Sequence, residues 1–128
     1  MIPTDRKYTK DHEWVLIEGT TATIGITDYA QHALGDIVFV ELPTVGDTIE
    51  CGAQLAVIES VKAASEAYSA PAGEVIEVNS ELEDAPEMLN EKPWEAWIAK
   101  LNCTDLNEGA LMDAAAYEAL VAAEEAKE

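Results

Sequence analysis

Short apolar bursts separated by Gly, Pro, Asn and Asp run along most of this chain, which is the pattern of strands joined by turns. Residues 12–17 and 22–26 are two such bursts, joined by Glu18-Gly19-Thr20-Thr21, and they predict a hairpin. Thr27 then caps a short helix reaching Leu34, with Asp28 at its positive end and Gly35 ending it. Ile37-Val38-Phe39-Val40 is a continuous apolar run stopped at Pro43, which predicts a central strand buried on both faces. Gly46-Asp47-Thr48-Ile49 and Gly73-Glu74-Val75-Ile76 resemble one another and suggest a pair of similar sheet halves. Residues 54–58 approach, and 74–78 leave, a reversal centred on Lys62.

Helical signals are fewer. Ser80-Glu81-Leu82-Glu83 has capping-box spacing, with Pro86 limiting the helix and Pro93 ending an irregular stretch. Residues 97–101 read as the last strand, and Thr104 as the cap of a single turn. Asp113 caps a final helix over 114–126 whose apolar stripe is Tyr117, Leu120 and Val121. The prediction is one domain over 1–128, frayed at 1–7 and 124–128.

Charge narrows the choice of partners. With 26 acidic and 7 basic residues the formal net charge is −19, so nucleic acid and anionic membrane surfaces would repel the chain and basic protein patches would attract it. Neither a secretory signal nor an Arg/Ser-rich leader is recognisable at the N-terminus, and no apolar run approaches the length of a membrane span. A bacterial type of cytoplasm is expected, or a mitochondrial matrix if a leader has been removed. Cys51 and Cys103 lack partners at metal-ligand spacing and read as free thiols. His12 and His32 have no nucleophile or carboxylate placed beside them by any motif, and both read as structural or solvated. Trp14, Trp94 and Trp97 read as core or cleft-wall residues.

Lys62 stands apart, because no other Lys or Arg lies between Lys10 and Lys92. Its neighbours Ser60, Ala63 and Ala64 are small, so another protein's active site could close around the tip and reach the amine. The run Gly46-Asp47-Thr48-Ile49, Gly52, Leu55, Val57, Glu59, Lys62-Ala63, Glu66, Ala70-Pro71, Gly73-Glu74-Val75 is similar to the lipoyl-domain pattern. Together with Glu59-Ser60-Val61-Lys62-Ala63, His12-Glu13-Trp14-Val15 and residues 25–31, it resembles the glycine cleavage H-protein family from about Tyr8 to Tyr117.

That resemblance implies a mostly β barrel-sandwich hybrid, lipoyl-domain-like, with short helices and a C-terminal helix. It implies lipoate in amide linkage on Lys62, presented by Glu59, Ser60, Val61 and Ala63. The protein would be no enzyme but a monomeric carrier of the aminomethyl group of glycine. Its partners would be a glycine decarboxylase, an aminomethyltransferase, a dihydrolipoamide dehydrogenase and a lipoate-attaching enzyme. A cleft for the loaded arm is implied near Glu13, Ile26, Ala30, Leu34 and Glu66, with the two glutamates holding the arm's ammonium and Ile26 and Leu34 as apolar wall. The chain departs from the family at Glu95-Ala96 before Trp97, where a glycine is usual, at Trp94 and at Ala99. Rival readings are a lipoyl donor in lipoate assembly or target of a regulatory modification system, a 2-oxoacid dehydrogenase lipoyl domain, a biotin carrier, and a plain acidic interaction domain. Residues 8–42 and 80–117 have no counterpart in the second of these, and Val61 and Ala63 replace the methionines of the third.

Overall fold

The computed structural model describes residues 2–127. Among the described residues nine strands form two antiparallel sheets. The larger contains β1 (Lys7–Tyr8), β2 (Glu13–Glu18), β3 (Thr21–Ile26), β5 (Thr48–Ile49), β8 (Ala72–Val78) and β9 (Ala99–Asp105), in the order β1-β2-β3-β9-β8-β5. The smaller orders β4 (Ile37–Glu41), β6 (Ala53–Ser60) and β7 (Ala64–Ser69) as β4-β6-β7. The α-helices that decorate them are α1 (Asp28–Leu34), α2 (Glu81–Asp84), α3 (Met88–Glu91) and α4 (Ala114–Glu125). Fold class therefore agrees with the sequence: mostly β, with short helices and a C-terminal helix.

The main core includes Val15, Ile24, Ile26, Ile58, Val75 and Leu101, drawn from both sheets. Burial of such side chains is the principal stabilising term, at about 1.5–3 kcal/mol for each large one. A second, aromatic cluster of Tyr8, Trp14 and Tyr117 seats α4 against the outer side of β1 and β2. Trp14 lies flat across β3 because its partner is Gly25, where an added Cβ would come within 2.4 Å of the indole ring.

Local signals were read well where a cap fixed them. Thr27 accepts a hydrogen bond from the Ala30 amide at 3.2 Å, and Gly35 closes α1 at φ 82°. Asp113 caps α4 through the Ala116 amide. Elsewhere tertiary context prevailed. The run 37–40 is not a central strand buried on both faces: β4 is an edge strand paired only with β6, and a bulge at Val38 turns Val38 and Phe39 to solvent at 56% and 48% exposure.

The two similar segments at 46–49 and 73–76 lie in one sheet, where β5 pairs directly with β8. Ser80 makes no side-chain cap, and α3 was not foreseen. Thr104 lies within β9, which begins at Ala99 rather than 97, and the turn after it is a 3₁₀ segment Glu108–Ala110 preceded by left-handed Asn107. Of the ends expected to fray, Met1 and Glu128 lie outside the described residues. Arg6, within the first, stacks 4.5 Å above the Trp14 ring. Among the described residues no helix is long and apolar enough to cross a membrane, and both cysteines are free.

Candidate functional site

Strands β6 and β7 form a hairpin whose last paired residues are Glu59 and Ala64, leaving Lys62 in the connection. The reversal is tighter than the sequence indicates. Residues 74–78 belong to β8 in the other sheet, and the returning strand is β7, whose small and polar residues carry little strand signal. Ser60 organises the bend. Its backbone N–H donates to the Ala63 carbonyl at 2.9 Å, and its hydroxyl oxygen accepts from the Lys62 and Ala63 amides at 3.2 and 3.3 Å. The Val61 amide donates to the Asp36 carbonyl at 3.0 Å, bracing the tip against the segment between α1 and β4. Glu59, Val61, Lys62 and Ala63 are all exposed.

The lysine side chain bends back over Gly35, where an added Cβ would lie 3.2 Å from its Cε. Its Nζ donates to the Ala33 carbonyl at 3.3 Å, in the last turn of α1, the end of a helix that favours a cation. Ala33 in turn lines a pocket of about 170 Å³, shared by Glu13, Ile26, Ala30, Leu34 and Glu66. The amine therefore stands at the rim of a cavity walled by the open end of the β2–β3 hairpin, by α1 and by β7.

All five residues named from the sequence for a cleft meet here, and among the lining residues that were not named are Asp11, His12, Tyr29 and Ala33. Asp11 could have been suspected as an acid two residues before Glu13. His12, read as structural or solvated, is tied to Tyr117 and Glu124 while also lining the pocket, whereas His32 is exposed and outside it.

The acids differ in setting. Glu13 is 3% exposed. Its Oε1 accepts from the Thr9 hydroxyl at 2.6 Å and its Oε2 from the Tyr68 amide at 3.3 Å. Burial outweighs those bonds and pushes its carboxyl up to about 7. Glu66 is exposed and accepts from the Tyr68 hydroxyl at 2.6 Å, so Tyr68 holds both glutamates, one through its backbone and one through its ring. Tyr68 had no signal in the sequence. Among the described residues no lysine or arginine lines the pocket, and no ion pair engages Asp11, Glu13 or Glu66. A small cavity with an apolar wall and three unpaired acids suits a primary ammonium at the end of an apolar chain.

Comparison with known proteins places these features in context. The family model described as glycine cleavage H-protein matches residues 6–124. The glycine cleavage system H protein of Thermus thermophilus is 52% identical over 125 residues, covering 96% of this chain and 98% of that one. The one from Chromohalobacter salexigens is 55% identical over 127 residues, covering 97% of each. The crystal structure of a glycine cleavage system H protein from Mycobacterium marinum superposes with a TM-score of 0.84 at 37% identity, covering 91% of this chain and 95% of that chain.

Proposed function

The chain belongs to the glycine cleavage H-protein family, and from that premise we propose that it is the lipoyl-carrying shuttle of glycine cleavage, with lipoate amide-linked to Lys62. It is a carrier rather than an enzyme. The observation that carries the proposal is the placement of Lys62, the only Lys or Arg between Lys10 and Lys92, on a braced hairpin tip at the rim of an acid-lined pocket.

The surroundings fit the group. Small, exposed neighbours leave the amine open to a lipoate-attaching enzyme, and the glycine at position 35 gives the lysine stem room to lie back toward the pocket. When bound, the lipoyl group supplies a reversible dithiol–disulfide couple that takes up and gives back a one-carbon amine. The protein's own residues do the rest. Ser60 and Asp36 fix the bend so that the arm swings from a rigid base, which raises its effective concentration at each partner's site. Glu13 and Glu66 hold the loaded arm's ammonium while Ile26 and Leu34 keep water from it.

The partners follow from the system: a glycine decarboxylase, an aminomethyltransferase and a dihydrolipoamide dehydrogenase, each meeting a monomer of this protein. The strongly acidic surface favours partner faces of positive charge. A bacterial cytoplasm is the setting of this proposal. Reconstitution with purified partners tests it: wild type supports glycine decarboxylation, and Lys62→Arg, which keeps the charge but is not a substrate for lipoate attachment, supports none. Equal activity of the two proteins would refute the assignment.

A further inference from the structure

Behind the pocket, four side chains from three segments form one continuous hydrogen-bonded chain. Glu124 and Tyr117 stand two turns apart on α4, His12 precedes β2, and Thr27 caps α1. His12 Nε2 lies 2.6 Å from Glu124 Oε2, and its Nδ1 lies 2.8 Å from the Tyr117 hydroxyl. That hydroxyl is 2.6 Å from Thr27 Oγ1, which accepts the Ala30 amide. A carboxylate can only accept, so Nε2 carries a proton. In the neutral ring Nδ1 then accepts from Tyr117, whose oxygen accepts in turn from the Thr27 hydroxyl. Every polar atom of the buried pair Tyr117 and Thr27 is spoken for by this arrangement.

The geometry matters because His12 and Thr27 tie this chain to two walls of the pocket. His12 lines it directly, beside Glu13, and sits 4.5 Å from Tyr29 of α1 while holding φ at 69°. Thr27 starts the helix that contributes Ala30, Ala33 and Leu34. The Tyr117 ring is itself fixed by stacking on Tyr8 at 4.7 Å. We infer that Tyr117 is a positioning residue for the cleft: its hydroxyl clasps the His12 wall to the α1 wall and anchors both to the C-terminal helix. The inference rests on the reading of this pocket as the cleft for the loaded arm. Without the hydroxyl, Nδ1 and the Thr27 hydroxyl each lose a partner in a buried place, and the walls lose their common reference.

Tyr117→Phe is the discriminating variant, since it keeps the stacked ring and removes one oxygen. The first readout is the hydrolysis of the aminomethyl-loaded protein, in which one water releases formaldehyde and ammonium and leaves the free thiol. Wild type should be protected relative to the same loaded protein unfolded in urea. Tyr117→Phe should hydrolyse roughly three- to tenfold faster than wild type, the factor corresponding to one net hydrogen bond. Glu124→Gln, which keeps an acceptor for Nε2, should stay near wild type.

The second readout needs no arm: nitrogen NMR of the His12 ring in the unloaded protein, taken at alkaline pH where the ring is neutral, should show Nε2 protonated and Nδ1 as a hydrogen-bonded acceptor, and Tyr117→Phe should shift Nδ1 toward a free acceptor. Protection unchanged in Tyr117→Phe, or the opposite tautomer in wild type, overturns the inference and leaves the cleft reading standing. A wild type as labile as the unfolded chain overturns both. Should Tyr117→Phe fail to fold, the wild-type tautomer alone decides.

Discussion

The two hairpins that meet at the site use opposite ends. The β2–β3 hairpin is exposed at its turn and buried toward its open end, and it is this open end, where Glu13 pairs with Ile26, that forms a wall of the pocket. In the β6–β7 hairpin the functional end is the closed one, exposed and held by a few hydrogen bonds around Ser60. A buried wall needs fixed packing, and it shifts an acid's protonation chiefly by keeping water away. A tip that another enzyme must grip needs small residues and an accessible backbone. Changes in the first hairpin should therefore register as stability and pH dependence, and changes in the second as recognition with little cost to the fold.

The sharpest break of this comparison is Gly25→Ala. Its Cβ would meet the Trp14 ring at 2.4 Å, and that ring is pinned by a 2.9 Å bond from Nε1 to the Pro93 carbonyl. A loss of roughly 3 kcal/mol in denaturant unfolding is expected, as for overpacked cores. Less than about 1 kcal/mol would show that the indole can move.

Next comes Glu13→Gln. With its folded carboxyl at about 7, Glu13 holds a proton that the unfolded chain loses above the ordinary carboxyl value of 4.5. The wild type thus loses stability as pH climbs through that window and no further above it. The glutamine variant lacks this term and should be more stable by roughly 3 kcal/mol at pH 8, with the advantage gone at pH 4.5. The same substitution, like Glu66→Gln, should speed hydrolysis of the loaded arm, and unchanged hydrolysis in both variants would remove the ammonium clamp. The smallest effect belongs to Ser60→Ala, which should cost less than about 1 kcal/mol of stability at its exposed bend. It should nevertheless slow lipoate attachment, and an unchanged rate would mean that the bend needs no hydroxyl.

Legibility followed the same division. Thr27, Gly35 and Asp113 were readable because a cap is a local arrangement written in adjacent residues. Lys62 stood out by its isolation and its flanking pattern. Strand β7 was hidden, because Ala64–Ser69 is small and polar and becomes a strand only through pairing with β6. The apolar run at 37–40 misled, since a bulge at an edge, not hydrophobicity, decides which of its side chains face water. The cleft residues were named from family resemblance. Asp11, His12 and Tyr68 belong with them only because the fold brings the turn before β2 against β7, a proximity that no sequence spacing expresses.

Incubation with a lipoate-attaching enzyme, followed by intact-mass measurement and peptide mapping, tests the role of Lys62 most directly. The expected result is one lipoyl group on the wild type, located at Lys62, and none on Lys62→Arg. A wild-type mass that does not change, or a lipoyl group found on another lysine, would contradict it.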